Sequence, residues 1–300
     1  MRAILRRHFG GPEVLEIREM PEPEPKAGHA VIEVKAFGLN HAELHMRKGE
    51  WAEIADVSGI ECVGIIKSCP GGEFPVGAKV AALMGGLGRT INGSYAEYTR
   101  APVSNIALID ADLPWAELAA IPETYATAWT CLYRNLEIQR GQLLVIRGAT
   151  SSFGQAALKM AVNAGLRVIA TTRNPERFTQ LEKLGAERCE IERPDLSKHI
   201  PEAKKIDAIL DLVGNTVLLD SLAMLRRGGT TQPTSTTFLS ETPYIDQILV
   251  PLTTRIRPET ANTLKRVCLE QKLNRRWPDS AQEIVDLALS QWFAKEGIAD

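Results

Sequence analysis

The feature that most constrains the fold is a regular alternation of apolar strands and helical patterns from about residue 118 to residue 230. LLVIR precedes a helix predicted at 152–164, RVIATT one at 176–184, and DAILDLV one at 216–226. Such alternation predicts a parallel sheet that is covered by helices on both faces. Before residue 115, short runs such as AVIEVKAFGL and ECVGIIKSC, divided by Gly and Pro, predict a separate β-rich domain.

The loop GATSSFG, at 148–154, is similar to a dinucleotide-binding turn that lacks two of its glycines. The pattern G-x-G-x-x-G provides a tight turn, close backbone approach to the pyrophosphate and close helix packing. Gly154 takes the third role, but Ala149 and Ser151 occupy the first two positions. Ser151 and Ser152 add hydroxyl donors at a helix N-terminus, which favours anions, although a serine there could act only as a cap. The loop residues predicted to contact the cofactor are Ala149, Thr150, Ser151, Ser152, Phe153 and Gly154.

The end of the second strand of this alternation favours NADPH over NADH. NAD-specific folds place an acid about 20 residues beyond the loop, where it bonds the ribose 2′-hydroxyl. In this chain the strand ends at Thr172 and Arg173, and Arg173 lies 19 residues beyond Gly154. A guanidinium offers a charged fork suited to a 2′-phosphate. The alternative is that Arg173 is a solvated, helix-capping arginine.

Composition excludes several classes of partner. The 300 residues are enough for two domains with separate cores. A formal net charge of −2 provides no basic field for nucleic acid or a membrane surface. No apolar stretch approaches the roughly 20 residues of a membrane span, and the first apolar run is too short for a signal peptide, so we expect a cytoplasmic protein. The 5 cysteines are scattered without a CxxC pair, which argues against a disulfide framework.

The chain resembles the zinc-free, quinone-oxidoreductase-like branch of the medium-chain dehydrogenases/reductases over roughly residues 1–230. The resemblance rests on FGLNHAELHMRKG, DVSGIECVGII, NGSYAEY, IPETYATAW and VIRGATSSFG, in this order, followed by DAILDLVGN and LRRGG. It implies an α/β protein with a GroES-like β-rich substrate domain at 1–117. A Rossmann domain with a doubly wound parallel sheet follows at 118–250, and NADPH would lie in the cleft between the two. Residues 251–300 are predicted to form an atypical, shortened C-terminal segment.

The resemblance also implies the site residues. Zinc-dependent relatives have a cysteine where this chain has Asn40 and a histidine where it has Ile60, and neither replacement ligates zinc. No metal site is therefore expected. The implied catalytic residues are Asn40, beside the nicotinamide, His45, in place of a family tyrosine, and Tyr125. The implied cofactor contacts outside the loop are Thr127, Thr172, Arg173, Val213 and Gly214.

Two functions follow from the resemblance. The first is NADPH-dependent, zinc-independent reduction of a quinone, enal, enone or enoyl substrate, with the oligomeric state open and a homodimer among the alternatives. The second is a non-catalytic NADPH-binding protein that retains the fold. The family likeness is expected to end at Gly229, because TTQPTSTTFLSETPY follows where relatives have an apolar strand, and Pro233 cannot donate to a central ladder. A truncated or frameshifted family member would explain this departure, as would divergence.

Overall fold

The computed structural model describes residues 1–214 and 216–233. These residues form two compact units, which divide between Thr130 and Cys131. The boundary predicted between residues 117 and 118 stays a prediction. The segment predicted at 251–300 lies outside the described residues.

The first unit is a β-rich body made of antiparallel strands and short helices. Its strands are β1 (Arg2–Arg6), β2 (Leu15–Glu19), β3 (His29–Ala36), β4 (Glu61–Ser68), β5 (Lys79–Leu83), β6 (Tyr98–Pro102) and β7 (Ile106–Leu108). Its helices are α1 (His41–Lys48), α2 (Trp115–Ala119) and α3 (Pro122–Trp129). The strands β1 and β2 form a hairpin, and the others form a five-stranded sheet in the order β6-β3-β4-β5-β7.

Strand β4 is buried on both faces, and this places one carboxylate inside the unit. Cys62 and Ile66 point into the main core of the sheet, while Val63 packs on the opposite face against Leu118 of α2. Since side chains alternate along a strand, Glu61 shares the face of Val63. Glu61 therefore points toward the α2–α3 side and is only 2% exposed.

The second unit is a parallel sheet with helices between its strands. Its strands are β8 (Leu143–Arg147), β9 (Arg167–Thr172), β10 (Arg188–Ile191), β11 (Ile206–Asp211) and β12 (Leu225–Pro233), and its α-helices are α4 (Ser152–Asn163), α5 (Phe178–Lys183) and α6 (Leu218–Met224). The sheet order β10-β9-β8-β11-β12 is the 3-2-1-4-5 order of a Rossmann fold. The predicted fold class is confirmed for the described residues.

The ends of β8, β9 and β11 lie at one edge of this sheet. Ile146 of β8 pairs with Ala170 of β9, and Arg147 pairs with Asp211 of β11. The loops that follow the three strands therefore begin at the same edge, which is where open α/β sheets bind ligands.

The structure corrects two expectations about the chain. Residues predicted as one helix at 176–184 form a 3-10 turn, Pro175–Arg177, followed by the short α5. Residues 230–233 were expected to lie outside the family fold, but they extend β12, which pairs in parallel with β11 as far as Pro233. Among the described strands β12 stands at the edge of the sheet, where a proline at the strand end removes no inner ladder bond.

Candidate functional site

The turn after β8 begins with a glycine in the left-handed region and ends at the capped N-terminus of α4. Gly148 adopts φ +72°, which favours glycine. Ser151 is the N-cap of α4, and its Oγ accepts a hydrogen bond from the Gly154 N–H at 3.0 Å. The serine therefore caps the helix, as the alternative interpretation held, but capping leaves it exposed on the loop.

Gly154 is required by the close packing of α4 against this turn. A Cβ at this position would lie 2.7 Å from Ala149 Cα and 2.8 Å from both its carbonyl carbon and its oxygen. These are backbone atoms that cannot move aside as a side chain could. Gly154 thus has the packing role that the sequence pattern assigns to the third glycine.

The end of β9 offers a cation where NAD-specific folds have an acid. Thr172 is buried, and its Oγ1 accepts a hydrogen bond from Asn174 N–H at 3.2 Å. Arg173 is exposed and takes part in none of the salt bridges found among residues 1–214 and 216–233. Its guanidinium is available for an anionic group.

The turn after β11 is held by an aspartate at the end of the strand. Asp211 Oδ1 accepts hydrogen bonds from Val213 N–H at 3.0 Å and from Gly214 N–H at 2.9 Å. Gly214 has φ +89°, and Val213 is 37% exposed. Two of the predicted cofactor residues therefore form one ordered turn at the same sheet edge as the glycine loop.

Arg147, the last residue of β8, is a functional candidate that the sequence reasoning missed. It ends an otherwise apolar strand and precedes Gly148, yet its side chain is 0% exposed. The guanidinium binds Glu192 through Nε and Nη2, with a shortest distance of 2.5 Å, and donates to Asp220 Oδ2 from Nη1 at 2.9 Å. Burial alone would lower the pKa of Arg147, but the carboxylates of Glu192, Asp211 and Asp220 raise it overall. The sequence feature that could have identified Arg147 is a charged residue at the end of an apolar strand that a parallel sheet would bury.

In the first unit, Asn40 is the N-cap of α1 and lies beside two buried carboxylates. Its backbone N–H donates to Glu43 Oε2 at 2.6 Å, and its Nδ2 donates to Glu61 Oε1 at 2.8 Å. Burial raises the pKa of Glu61 and of Glu43, and hydrogen bonds from neighbouring donors oppose the shift. Ile60, at the position of the zinc-ligating histidine of relatives, is buried and donates its N–H to Glu43 Oε1.

Helix α3 carries Thr127, which is linked to the same carboxylates, and Tyr125. Glu61 Oε2 accepts the N–H of Glu123, in the first turn of α3, at 2.8 Å. Glu123 Oε1 in turn accepts the hydroxyl proton of Thr127 at 2.8 Å. A hydrogen-bonded chain therefore links Asn40 to Thr127 through Glu61 and Glu123. Tyr125 is 38% exposed, so its ring is accessible on the surface of the helix.

His45 lies near the end of α1 and is paired with Glu50. Gly49 has φ +82°, and the N–H groups of Gly49 and Glu50 bond the carbonyls of Met46 and His45, which is a Schellman ending. This turn carries the Glu50 carboxylate to His45 Nδ1, with which it hydrogen-bonds. Because an ionised carboxylate can only accept, the bond places a proton on Nδ1. The contact lowers the pKa of Glu50.

The predicted site residues are divided between the two units. Asn40, Thr127, Tyr125 and His45 lie in the first unit, with Asn40 and Thr127 joined by hydrogen bonds. The glycine loop, Thr172, Arg173 and the Val213–Gly214 turn follow adjacent strands of the second. Among the described residues, no group of three or more His, Cys, Asp or Glu side chains is placed to hold a metal ion. In the same part of the chain, no helix is long and apolar enough to cross a membrane.

Two family models match this chain. Residues 26–111 match the alcohol dehydrogenase GroES-like domain, and residues 153–250 match the zinc-binding dehydrogenase family. The second match continues well beyond Gly229, where the family likeness was expected to end. The expected end of the likeness at Gly229 lies inside this match, and an atypical segment at 251–300 stays a prediction.

Known proteins with the same organisation are quinone oxidoreductases and their relatives. The quinone oxidoreductase of Pongo abelii is 30% identical over 239 residues, which cover 76% of this chain and 71% of that protein. The solved quinone oxidoreductase of Coxiella burnetii is 26% identical with a TM-score of 0.71, over 79% of this chain and 76% of the other. A mycobacterial protein solved in complex with NADPH is 27% identical with a TM-score of 0.68, over 77% and 72% of the two chains.

The relatives and the two family models define an oxidoreductase of a Rossmann-fold family whose members bind nicotinamide cofactors. The chain belongs to the quinone-oxidoreductase-like medium-chain dehydrogenases/reductases.

Proposed function

We propose that this protein is an NADPH-dependent, zinc-independent reductase of quinones or of C=C bonds conjugated to a carbonyl. The observation that carries the cofactor preference is the end of β9, where Arg173 is exposed and without an ion pair among the described residues. Such a guanidinium fits a 2′-phosphate, whereas a 2′-hydroxyl would need an acceptor. The mycobacterial relative solved with NADPH supports the same preference.

The residues present fit a dinucleotide. The contact between Gly154 and Ala149 leaves no room for a Cβ, which keeps the loop backbone close to the N-terminus of α4. Ser151, Ser152 and the backbone N–H groups of that terminus would hold the pyrophosphate. Arg173 would hold the 2′-phosphate, and the Val213–Gly214 turn would lie along the ribose.

NADPH supplies a hydride when it is bound. The protein's own residues therefore have to bind the cofactor, orient the substrate and supply a proton to the reduced substrate. Thr127 donates its hydroxyl proton to Glu123, and its oxygen is left as an acceptor for an N–H group of a ligand. Glu50 holds His45 through its Nδ1–H, so in the imidazolium form the other ring nitrogen can donate its proton to an oxygen that gains charge, which leaves a neutral imidazole. Because Asn40 and Ile60 stand where zinc-dependent relatives have metal ligands, activation of the substrate would depend on such polar groups.

The substrate class is proposed from the quinone oxidoreductase relatives and from the exposed Tyr125, whose ring can stack on a planar substrate. Quinones and carbonyl-conjugated alkenes are already polarised toward hydride addition. Binding and orientation would therefore provide most of the rate.

The test compares NADPH with NADH in wild type and in Arg173→Ala. We expect oxidation of NADPH above the blank with a panel of quinones and enones, and a loss of about 1–3 kcal/mol in NADPH binding in the variant. NADH binding should be nearly unchanged. Arg167→Ala is the matched control, because Arg167 lies at the opposite end of β9 and pairs with Glu187.

Two results would contradict the proposal. Equal losses for NADPH and NADH in Arg173→Ala would remove Arg173 from the 2′-phosphate. NADPH binding without turnover of any acceptor would favour the non-catalytic alternative.

A further inference from the structure

The buried arginine at the end of β8 uses all of its donors inside the second unit. Nε and Nη2 bind Glu192, and Nη2 also donates to the Arg193 carbonyl at 2.7 Å. Nη1 donates to Asp220 Oδ2 at 2.9 Å and to Ser221 Oγ at 3.0 Å. A guanidinium has five N–H donors in a rigid plane, so these contacts fix the relative positions of β10, α6 and β8.

From Arg147 one branch leads to the glycine loop. Glu192 Oε2 accepts the hydroxyl proton of Thr171, whose Oγ1 accepts the N–H of Gly148 at 3.0 Å. Thr171 is 0% exposed. The first residue of the loop is thus held by the arginine through Glu192 and Thr171.

The other branch leads to the turn after β11. Ser221, which accepts from Arg147, donates its hydroxyl proton to Asp211 Oδ2 at 2.8 Å. The second oxygen of Asp211 accepts the N–H groups of Val213 and Gly214. Ser221 and Asp211 are both 0% exposed. One continuous hydrogen-bonded chain therefore joins the two turns, with Arg147 at its centre.

Stability alone does not explain this arrangement. Three carboxylates surround one guanidinium, and replacing buried ionic clusters with apolar side chains of similar volume is often neutral or stabilising. Their best attested advantage is a defined geometry. In this protein the geometry so defined is the spacing of the two turns that the proposed cofactor would span.

We propose that Arg147 is a positioning residue that couples the Gly148–Ser151 turn to the Val213–Gly214 turn and thereby preorganises the dinucleotide site. The inference rests on the proposed function for the assignment of these turns to the cofactor. Its structural content, that the two turns are coupled through Arg147, is independent of which dinucleotide binds.

The experiment breaks each branch without removing a charge. Ser221→Ala interrupts the branch to Asp211, and Thr171→Val interrupts the branch to Gly148. Among the described residues, Thr171 and Ser221 share no hydrogen bond, and the side-chain route from one to the other runs through Glu192 and Arg147. The backbone contact between the two turns, in which the Leu212 N–H donates to the Arg147 carbonyl, is present in both variants. Thr99→Val is the matched control, because Thr99 is a buried threonine of the first unit whose hydroxyl donates to the Asn92 carbonyl.

Backbone hydrogen exchange of the cofactor-free protein measures the coupling directly. We expect Ser221→Ala to speed exchange in residues 148–152 and Thr171→Val to speed exchange in residues 213–214. Each variant should also raise the Kd for NADPH about three- to tenfold, the effect of one lost hydrogen bond. In the double variant, the increase in the Kd for NADPH should be smaller than the product of the two single increases, because both changes interrupt the same hydrogen-bonded chain. Thr99→Val should change none of these.

Exchange that accelerates only at each variant's own turn, together with multiplicative effects on Kd, would overturn the inference. Wild-type protein that binds NADH in place of NADPH would refute the proposed cofactor but not the coupling, which the cofactor-free exchange still reports. Arg147→Met is a second variant. It is expected to unfold more readily, because it leaves buried carboxylates without their cation, and retention of wild-type exchange at both turns would contradict the proposal.

Discussion

The contact between Gly154 and the loop backbone leads to a prediction in which two effects have opposite signs. In Gly154→Ala, helix propensity favours the variant by up to about 1 kcal/mol. The new Cβ, however, would lie 2.7–2.8 Å from three backbone atoms of Ala149, whereas carbon atoms pack best at about 3.5–4.0 Å. The loop and α4 must separate by several tenths of an ångström or more.

We expect the steric term to win. Overpacking in a close-packed interior costs about 1–3 kcal/mol, and the clash here meets backbone. The net loss of unfolding free energy should be about 1–2 kcal/mol, which for a domain of this size lowers Tm by about 2–4 °C per kcal/mol. Movement of α4 would also disturb the bond from Gly154 N–H to Ser151 Oγ, so the affinity for NADPH should fall as well.

The assay is urea unfolding of each variant, with NADPH titration by fluorescence on the same samples. Lys159 is exposed on the same helix, so the difference between Lys159→Gly and Lys159→Ala measures the propensity gain of Gly→Ala in α4 without any clash. Subtracting it from the Gly154→Ala result isolates the steric term. A Gly154→Ala protein that gains as much stability as the Lys159 pair predicts, with unchanged affinity for NADPH, would refute the reasoning.

Three further predictions concern the first unit. The Glu61 carboxylate accepts hydrogen bonds from Asn40 Nδ2 and from the Glu123 N–H. In Glu61→Gln the new amide N–H₂ group would face one of these donors, which should lower the unfolding free energy by about 1–3 kcal/mol. Because burial raises the pKa of Glu61 above its ordinary 4.5, its stabilising contribution is present at acid pH and is lost as pH rises through the folded pKa. The deficit of Glu61→Gln measured by urea unfolding should therefore be larger at pH 5 than at pH 8, and the opposite trend would contradict burial as the cause. Glu50→Gln weakens the contact that orients His45, so it should lower kcat, by less than the about 10²–10⁴-fold that a positioned general acid provides. The Kd for NADPH should be unchanged. An unaltered kcat and pH–rate profile would show that His45 takes no part in proton transfer. Chelator treatment should leave activity unchanged and elemental analysis should find no stoichiometric zinc, whereas activity that depends on bound zinc would refute the interpretation of Asn40 and Ile60.

Much of the second unit could be predicted from local pattern alone. Apolar runs such as LLVIR and DAILDLV specify buried parallel strands, because only strands covered on both faces remain apolar along their length. Gly154 follows from the same logic, since its position in the loop motif implies a contact that excludes a side chain. The extent of β12 could not be predicted in this way. Thr230 and Thr231 are not apolar, so they do not continue the apolar pattern. They are β-branched, however, and β-branched side chains fit the pleated surface of a strand.

The sequence by itself determined the two-domain organisation, the glycine loop and the cation at the end of β9, because each depends on residues adjacent in the chain. Only the tertiary structure decided which polar groups meet. Glu61 joins Asn40 to Glu123, 62 residues further along, and Arg147 meets Glu192 and Asp220 across 45 and 73 residues. No periodicity encodes such contacts, since they arise when strands and helices distant in the chain pack together and every buried charge must find its partner.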